Sequence, residues 1–486
     1  MEPTVSDVVL SRQTREHLLA GLPDPVPVSA ADVRAARAAT RPRRLVVLDD
    51  DPTGTQSVGN LPVLTSWSED DLTWALETGA PAVYVMTNTR SLDPADAAQR
   101  NIEAAGNALL AAERVGVEVD FVSRSDSTLR GHYPLEPDVL TQTLGAGTAV
   151  DAVVIVPAFG DAGRITVRSI HYAGSDSEGY VPASETEFAK DPTFGYASSD
   201  LREWVEEKTD GRIPAGDVTA ITLDVLRSGP DAIAAALLPL TGGQPVVVDI
   251  VEESDLRLLA LGLLRAEAAG RRFVYRVGPP FVRALIGQDV LAPLTSADVA
   301  AIRAGGKGET SPYGLVVVGS HVALTTRQLA ELQTRQSPTD VTIDVQQVLG
   351  AARDAHLDAV VAQAVHALSE GNVVVRTSRT LVTGADAGSS LNIARRVSDA
   401  VVEVVHRVLS AAPPRFVVAK GGITSSDVAS RGLEISRAMV RGPMLPGIVS
   451  LWEPIDGPAR GIPYIVFAGN VGSDASLADV VDKLTH

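Results

Sequence analysis

No cysteine occurs among the 486 residues, which removes disulfides, thiol nucleophiles and Cys-ligated zinc or iron–sulfur centres from consideration. Residues 1–20 lack the basic n-region and apolar h-region of a secretory signal. No uninterrupted apolar stretch is long enough to span a bilayer, so a cytoplasmic location without a membrane partner is expected. Cations are the scarcer charge, with Lys+Arg 42 against Asp+Glu 60 and a net charge of -18. A nucleic-acid partner is therefore disfavoured, because phosphate backbones need a concentrated basic surface. A small anionic substrate is still compatible, since screening confines most electrostatics to about 8 Å at physiological salt and a few local arginines suffice. Several chemical signatures are missing too. There is no G-x-x-x-x-G-K-[ST] P-loop, no G-x-G-x-x-G on a leading βαβ unit and no G-x-S-x-G elbow. No H-E-x-x-H occurs among the 8 histidines, and His132, His171 and His321 stand singly, which argues against a histidine-bound catalytic zinc.

What the chain does contain is ample core, at 45% hydrophobic and 21% charged, and its length suits two domains. Short apolar β-type runs alternate with helical stretches: Ala82 to Met86, Val117 to Val122, Ala152 to Val156, Pro245 to Ile250 and Phe273 to Arg276. A second series runs from Gly314 to Gly319, then Asn372 to Arg376, Arg415 to Ala419 and Tyr464 to Phe467. Amphipathic helices are expected over Val345 to Leu368 and Leu391 to Leu409. The pattern predicts an α/β fold: two α/β domains with largely parallel sheets and an active-site cleft between them. The segment Asp289 to Pro312 ends in Gly305-Gly306-Lys307-Gly308, a linker composition. Residues 1–42 read as an N-terminal extension, 43–300 as a first domain and 301–486 as a second.

Function concentrates where apolar runs end. Leu45-Val46-Val47-Leu48 breaks into Asp49-Asp50-Asp51-Pro52-Thr53-Gly54. Ligands of α/β folds bind beyond the carboxyl ends of strands. Pro52 and Gly54 alone would end the strand, so three adjacent acids suggest hydroxyl binding, proton abstraction or Mg2+ contact, against the plainer reading of a solvated acidic turn. Ser123 to His132 follows the next predicted strand, and there Arg124 and Arg130 suit a carboxylate while Asp126 suits sugar hydroxyls. A helix-capping turn explains Ser125 to Ser127 equally well. The same design returns at Thr87-Asn88-Thr89-Arg90-Ser91 and at Gly163-Arg164-Ile165-Thr166. A cleft lined by Asp50, Asp51, Asn88, Arg90, Asp126, Arg130 and Arg164 would hold a small polyhydroxylated acid.

In the second half, Lys420-Gly421-Gly422-Ile423-Thr424-Ser425-Ser426-Asp427 joins a strand to a helix expected from Val428 onward. Adjacent glycines let backbone approach a phosphate closely, and a helix N-terminus offers free N–H groups. Simple capping by Ser425, Ser426 or Asp427 is the alternative. Further glycine turns at Gly319-Ser320-His321 and Gly469-Asn470-Val471-Gly472-Ser473 suggest a nucleotide cleft.

Taken in order, Asp50-Asp51-Pro52-Thr53-Gly54, Asp126-Ser127-Thr128-Leu129-Arg130-Gly131, Lys420-Gly421-Gly422-Ile423-Thr424 and Gly469-Asn470-Val471-Gly472 make the chain resemble the four-carbon acid sugar kinases over nearly everything after residue 42. The resemblance implies a sugar-binding N-terminal domain, a nucleotide-binding C-terminal domain and ATP-dependent phosphorylation of the terminal hydroxyl of 3-oxo-tetronate, threonate or erythronate, with Mg2+ escorting the nucleotide. It implies substrate contacts from Asp50, Asp51 and the Asp126–Arg130 element, and ATP contacts from Ser320, Gly421, Gly422, Ile423, Thr424 and Gly472, to which the third glycine turn adds Gly469. The catalytic candidates are Asp51 and Asp126, with Asp51 placed ahead of Asp50 and Asp126 as proton acceptor, and Arg90 or Arg130 would grip the substrate carboxylate. No metal ligand is assigned. The chain departs from shorter members in Asp49, Pro52, the N-terminal extension and the tract His171 to Arg212, which carries Glu185-Thr186-Glu187-Phe188 and Asp191-Pro192. Rival readings are a non-catalytic sugar-acid or nucleotide sensor and a metal-dependent hydroxy-acid lyase or isomerase; ATP dependence separates them. A homodimer is left open.

Overall fold

The computed structural model describes residues 12–40, 43–145, 149–304, 310–378 and 387–485, with 387–391 as backbone alone. The ends of the expected N-terminal extension, 1–11 and 41–42, and 305–309 of the expected linker lie outside the described residues. Packing divides the chain into two units that do not follow its halves: Met1–Asp50, Leu92–Gly106 and Val117–Asp289 form one, and Asp51–Ser91, Asn107–Gly116 and Val290–His486 the other.

The first unit is built on a parallel sheet in the order Arg44–Asp49, Val119–Arg124, Phe273–Val277, Ala152–Val156, Gln244–Val248, Thr219–Ile221. Continuous burial along Leu45–Asp49, Val119–Arg124 and Phe273–Val277 explains why these strands read as unbroken apolar runs: a parallel sheet is covered on both faces. Helix Glu253–Ala268 of the same unit buries Leu256, Leu259, Leu263 and Leu264. The N-terminal helices Arg15–Leu19 and Ala30–Thr40 belong to this unit, tied by Arg168 to the Leu18 carbonyl at 2.9 Å and by Arg34 to the Gly287 carbonyl at 2.6 Å. A small antiparallel sheet, Arg164–Val167, Ile170–Ser175 and Gly179–Pro182, leads into the short turns Ala183–Glu185 and Glu187–Lys190 and helix Leu201–Lys208.

The second unit has the parallel order Thr339–Ile343, Val373–Thr377, Leu315–Val318, Val417–Lys420, Tyr464–Phe467. Antiparallel strands Ile448–Pro454 and Arg437–Leu445 continue it, then Leu61–Leu64 and Ala82–Met86. Its core joins Val316, Val318, Phe416, Val418, Ile465 and Phe467 to Leu477, Val481 and Leu484 of helix Ser476–Thr485. The chain leaves Leu315–Val318 toward one edge of this sheet and Val417–Lys420 toward the other. That makes their shared carboxyl end a topological switch point, the place where open α/β sheets bind ligands.

Several local expectations need correcting. The long helix expected over Val345 to Leu368 is two, Val345–Leu349 and Arg353–Ala367, broken at Gly350. Helix Gly422–Asp427 begins directly on the glycine turn rather than at Val428, where a wider turn, Val428–Gly432, follows. The strand expected to stop at Val122 runs on through Ser123 and Arg124, whose polar side chains are buried. Helix Ser296–Ala304 occupies part of the segment read as linker.

Candidate active site

In the first unit the carboxyl ends of the strands gather the charged groups. Arg124 is buried at the end of its strand and ion-pairs with Asp49, while the Asp50 carboxylate lies 3.8 Å from the same guanidinium. The repulsion expected among adjacent acids is thus relieved by one buried cation, and Asp49 is its partner rather than a solvated turn residue. Asp50 borders the next loop, since a Cβ added to Gly131 would meet its carboxylate at 2.9 Å.

That loop, Ser125 to His132, is held from several sides. Asp126 accepts from Arg130 Nε at 2.6 Å and from the Thr128 hydroxyl. His171 Nε2 lies 2.7 Å from the Ser127 carbonyl, and the Tyr196 hydroxyl donates to the Thr128 carbonyl at 2.8 Å. Arg276 Nη2 donates to the Arg130 carbonyl at 3.1 Å. Burial brings the His171 imidazole down to about 4, so it is neutral at physiological pH. Burial also lowers the pKa of Arg164 and Arg276; Asp126 acts in the opposite sense on Arg164, and Asp50 and Asp126 on Arg276. Among the described residues, Arg164 Nε and Arg276 Nε and Nη1 are buried N–H groups without a hydrogen-bond partner. Such groups are expensive unless an anion satisfies them. Arg130 and Arg164 both lie on the ring of Phe188, at 5.4 and 5.6 Å from its centroid. Of the expected substrate residues, Asp50, Asp126, Arg130 and Arg164 thus belong to one unit.

The others, Asp51, Asn88 and Arg90, belong to the second unit with the glycine turns. Asp51 uses Oδ1 to cap the turn Pro52–Ser57, accepting from Thr53 N at 2.9 Å. Its Oδ2 lies 3.6 Å from Arg90 and 3.5 Å from where a Cβ on Gly422 would stand. Asn88, with φ 51, donates to the Ser426 hydroxyl on helix Gly422–Asp427.

The three glycine turns converge at the switch point. A Cβ on Gly421, where φ is +127, would stand 3.2 Å from Thr424 Oγ1 and 3.5 Å from Ser320, and one on Gly469 would stand 2.6 Å from Ser320 Oγ. Here the absence of side chains is what lets the turns close on one another. Gly472 takes φ +84, and Ile423 is 65% exposed, leaving apolar surface beside the turn. Thr325 and Gln328 on helix Ala323–Gln336 were not legible as site residues. Thr325 holds the Gly469 carbonyl at 3.0 Å, and Gln328 holds those of Val471 and Ser473 at 3.0 and 2.8 Å. Only their burial as polar residues on a helix facing a glycine loop marks them. Lys420 packs inward, 3.9 Å from the Phe467 ring and donating to the Ala468 carbonyl at 2.9 Å, and burial brings its amine down to about 7.

Two family models match along the chain, the first spanning residues of both units. Residues 45–285 match a family described as a sugar-binding N-terminal domain, and residues 315–477 one described as a nucleotide-binding C-terminal domain. The chain is 26% identical over 462 residues to a D-erythronate kinase of Heliobacterium modesticaldum, covering 90% of this chain and 97% of that protein. It is 27% identical over 453 residues to a D-threonate kinase of Salmonella typhimurium, with the same coverage of 90% and 97%. The fold is shared with a solved Salmonella typhimurium chain described as a tRNA synthase, at TM-score 0.65, 20% identity and coverage of 90% and 98%. It is shared as well with a Haemophilus influenzae protein at TM-score 0.60, 17% identity and coverage of 91% and 100%.

Proposed function

The chain belongs to the four-carbon acid sugar kinase family and is a phosphotransferase with an alcohol group as acceptor; from that premise we propose that it transfers the γ-phosphoryl group of ATP to the terminal hydroxyl of a tetronate such as erythronate, threonate or 3-oxo-tetronate. The observation that carries this reading is the Asp51 carboxylate beside Gly422, in the same unit as the converging glycine turns. A proton acceptor for the attacking hydroxyl is needed where the transferred phosphoryl sits, and phosphoryl transfer rests mainly on positioning and charge neutralisation.

In this reading Gly422, Thr424, Gly469 and Gly472 bring backbone N–H groups to the phosphates, Gly421 lets the turn approach while its own N–H is held by the Phe467 carbonyl at 2.9 Å, Ser320 and Ile423 border the phosphates, and Asp51 accepts the hydroxyl proton. Arg90, 3.6 Å from Asp51, adds positive charge near the developing negative charge. Asp50 and Asp126 read substrate hydroxyls, while Arg130 and Arg164 bind the carboxylate, Arg164 with an N–H that otherwise stays unsatisfied. Mg2+ would ride on the nucleotide and neutralise its phosphates. Such an ion keeps most of its shell from phosphate and water, so it needs no protein cage, and no group of three or more His, Asp and Glu forms one among the described residues.

The test is ADP release by the purified protein with Mg-ATP across four-carbon acid sugars and their 3-oxo forms, with the phosphorylated position found by mass spectrometry. Substrate-dependent release with phosphate on the terminal hydroxyl is expected. ATP binding without turnover of any tetronate would overturn the substrate assignment, and failure to bind ATP would overturn the nucleotide assignment.

A further inference from the structure

Lys420 is fully buried at the carboxyl end of strand Val417–Lys420, at the switch point of the second unit. It touches all three glycine turns. Its carbonyl accepts from Gly319 N at 3.3 Å, Gly421 follows it directly, and its Nζ donates to the Ala468 carbonyl at 2.9 Å, one residue before Gly469. The same Nζ lies 3.9 Å from the centre of the Phe467 ring. A carbonyl oxygen and a ring face both reward positive charge, so the surroundings suit an ammonium better than an apolar chain end.

What the ammonium lacks is a counter-ion. Two helices pack on this core, Ala323–Gln336 and Ser476–Thr485, and their charges are engaged elsewhere. Arg327 pairs with Asp474, Arg335 with Asp479 and Asp482, and Lys483 donates to the Met444 carbonyl. Neither these groups nor Glu331, nor Asp51, His321 and Asp427 near the turns, shift Lys420, whose amine is brought down to about 7 by burial alone. A buried cation without a partner is costly, and the cost falls when an anion arrives.

We propose that Lys420 is a positioning residue for nucleotide binding: its ammonium holds the Gly469 turn through the Ala468 carbonyl, and the phosphates of ATP supply the negative charge it lacks. The inference rests on the kinase reading above, in which the glycine turns hold the phosphates. Its consequence is a proton linkage. In the free protein burial favours the neutral amine as pH rises through 7, whereas bound phosphate favours the charged form, so ATP binding above pH 7 draws in a proton. Affinity for ATP is then highest below pH 7 and falls above it.

The experiment is calorimetric titration of the whole protein with Mg-ATP between pH 6 and pH 8.5, for the unaltered chain, Lys420→Met and Lys420→Gln. Titration of the nucleotide itself is common to all three and cancels in the comparison. The ATP Kd of the unaltered chain is expected to rise by about 10-fold across this range relative to either variant, the scale of losing a hydrogen bond from a charged donor. Lys420→Met is expected to bind ATP about 10-fold more weakly at pH 6, while the KM for the tetronate at saturating ATP stays within a few-fold. A merely structural lysine would leave the pH profile alike in all three proteins. ATP bound by the unaltered chain with a profile matching that of Lys420→Met would therefore overturn the role of Lys420 and leave the kinase reading intact. No ATP binding by the unaltered chain at any pH would overturn both. Should Lys420→Met not fold, shown by loss of its thermal transition, Lys420→Gln alone decides: a flattened profile supports the linkage and an unchanged one removes it.

Discussion

Asp51 divides its work between its two oxygens, one capping the turn Pro52–Ser57 and the other facing Arg90 and Gly422. An amide keeps the cap but cannot take a proton, so Asp51→Asn should fold normally and lose turnover by roughly 100- to 10,000-fold, the range of general-base contributions. ATP binding, followed by calorimetry, should change little; turnover within a few-fold of the unaltered chain would remove Asp51 as proton acceptor. Buried His171 makes a second residue-scale prediction. Its folded pKa of about 4 lies below the ordinary value of 6.5, chiefly through burial, with Arg164 and Arg276 adding repulsion. The unfolded chain then binds the proton more readily. This contribution is fully present above pH 6.5, falls as pH drops, and is lost by pH 4, amounting to at most about 3 kcal/mol. Urea midpoints at pH 7.5 and pH 5 should converge in His171→Gln relative to the unaltered chain, and an equal pH dependence in both would refute the assignment. Asp51, Asp126 and Arg130 can be proposed from the sequence alone because acids and arginines at strand ends stand out. His171, Tyr196 and Arg276 cannot, since each matters through a carbonyl that only the fold brings near.

At the scale of elements, legibility followed burial. Strands buried on both faces, such as Ala82–Met86, Ala152–Val156 and Tyr464–Phe467, appear in the sequence as apolar runs with their true ends. Strand Arg437–Leu445 alternates buried and half-exposed positions and carries charged residues, so no apolar run marks it or its antiparallel pairing with Ile448–Pro454. The helix after Lys420 starts earlier than expected because Ser425 and Ser426, weak helix formers, are retained by tertiary bonds: Ser425 to the Ala419 carbonyl at 2.8 Å and Ser426 to Asn88. The glycine turns make the corresponding prediction. Gly469→Ala puts a methyl group 2.6 Å from Ser320 Oγ, and Gly421→Ala adds one at a φ of +127 that side chains rarely adopt. Either should weaken ATP binding by about 10-fold or more, since a strained turn loses roughly 1–2 kcal/mol. An ATP affinity unchanged in both variants would mean that these turns hold no phosphate.

For the whole molecule, the sequence suggested two α/β halves, and the strand series that supports them is present; what it could not show is that Asp51–Ser91 packs with the second half of the chain. Nothing local marks that exchange, because Leu61–Leu64 finds its antiparallel partner Arg437–Leu445 more than 350 residues away. The consequence is a test of which unit holds which ligand. A ligand bound only by the folded state stabilises it by about 2.7 kcal/mol at 100 times its dissociation constant. Turnover-deficient Asp51→Asn should therefore show a thermal shift of a few degrees with ATP and a separate one with the tetronate. Adding Gly469→Ala to it should cut the ATP shift to about half or less and keep the tetronate shift, whereas adding Arg164→Met should do the reverse. Loss of both shifts in either double variant, with its unliganded melting temperature unchanged, would show that the acid sugar and nucleotide do not have separate sets of residues, and the division of labour proposed between the two units would have to be abandoned.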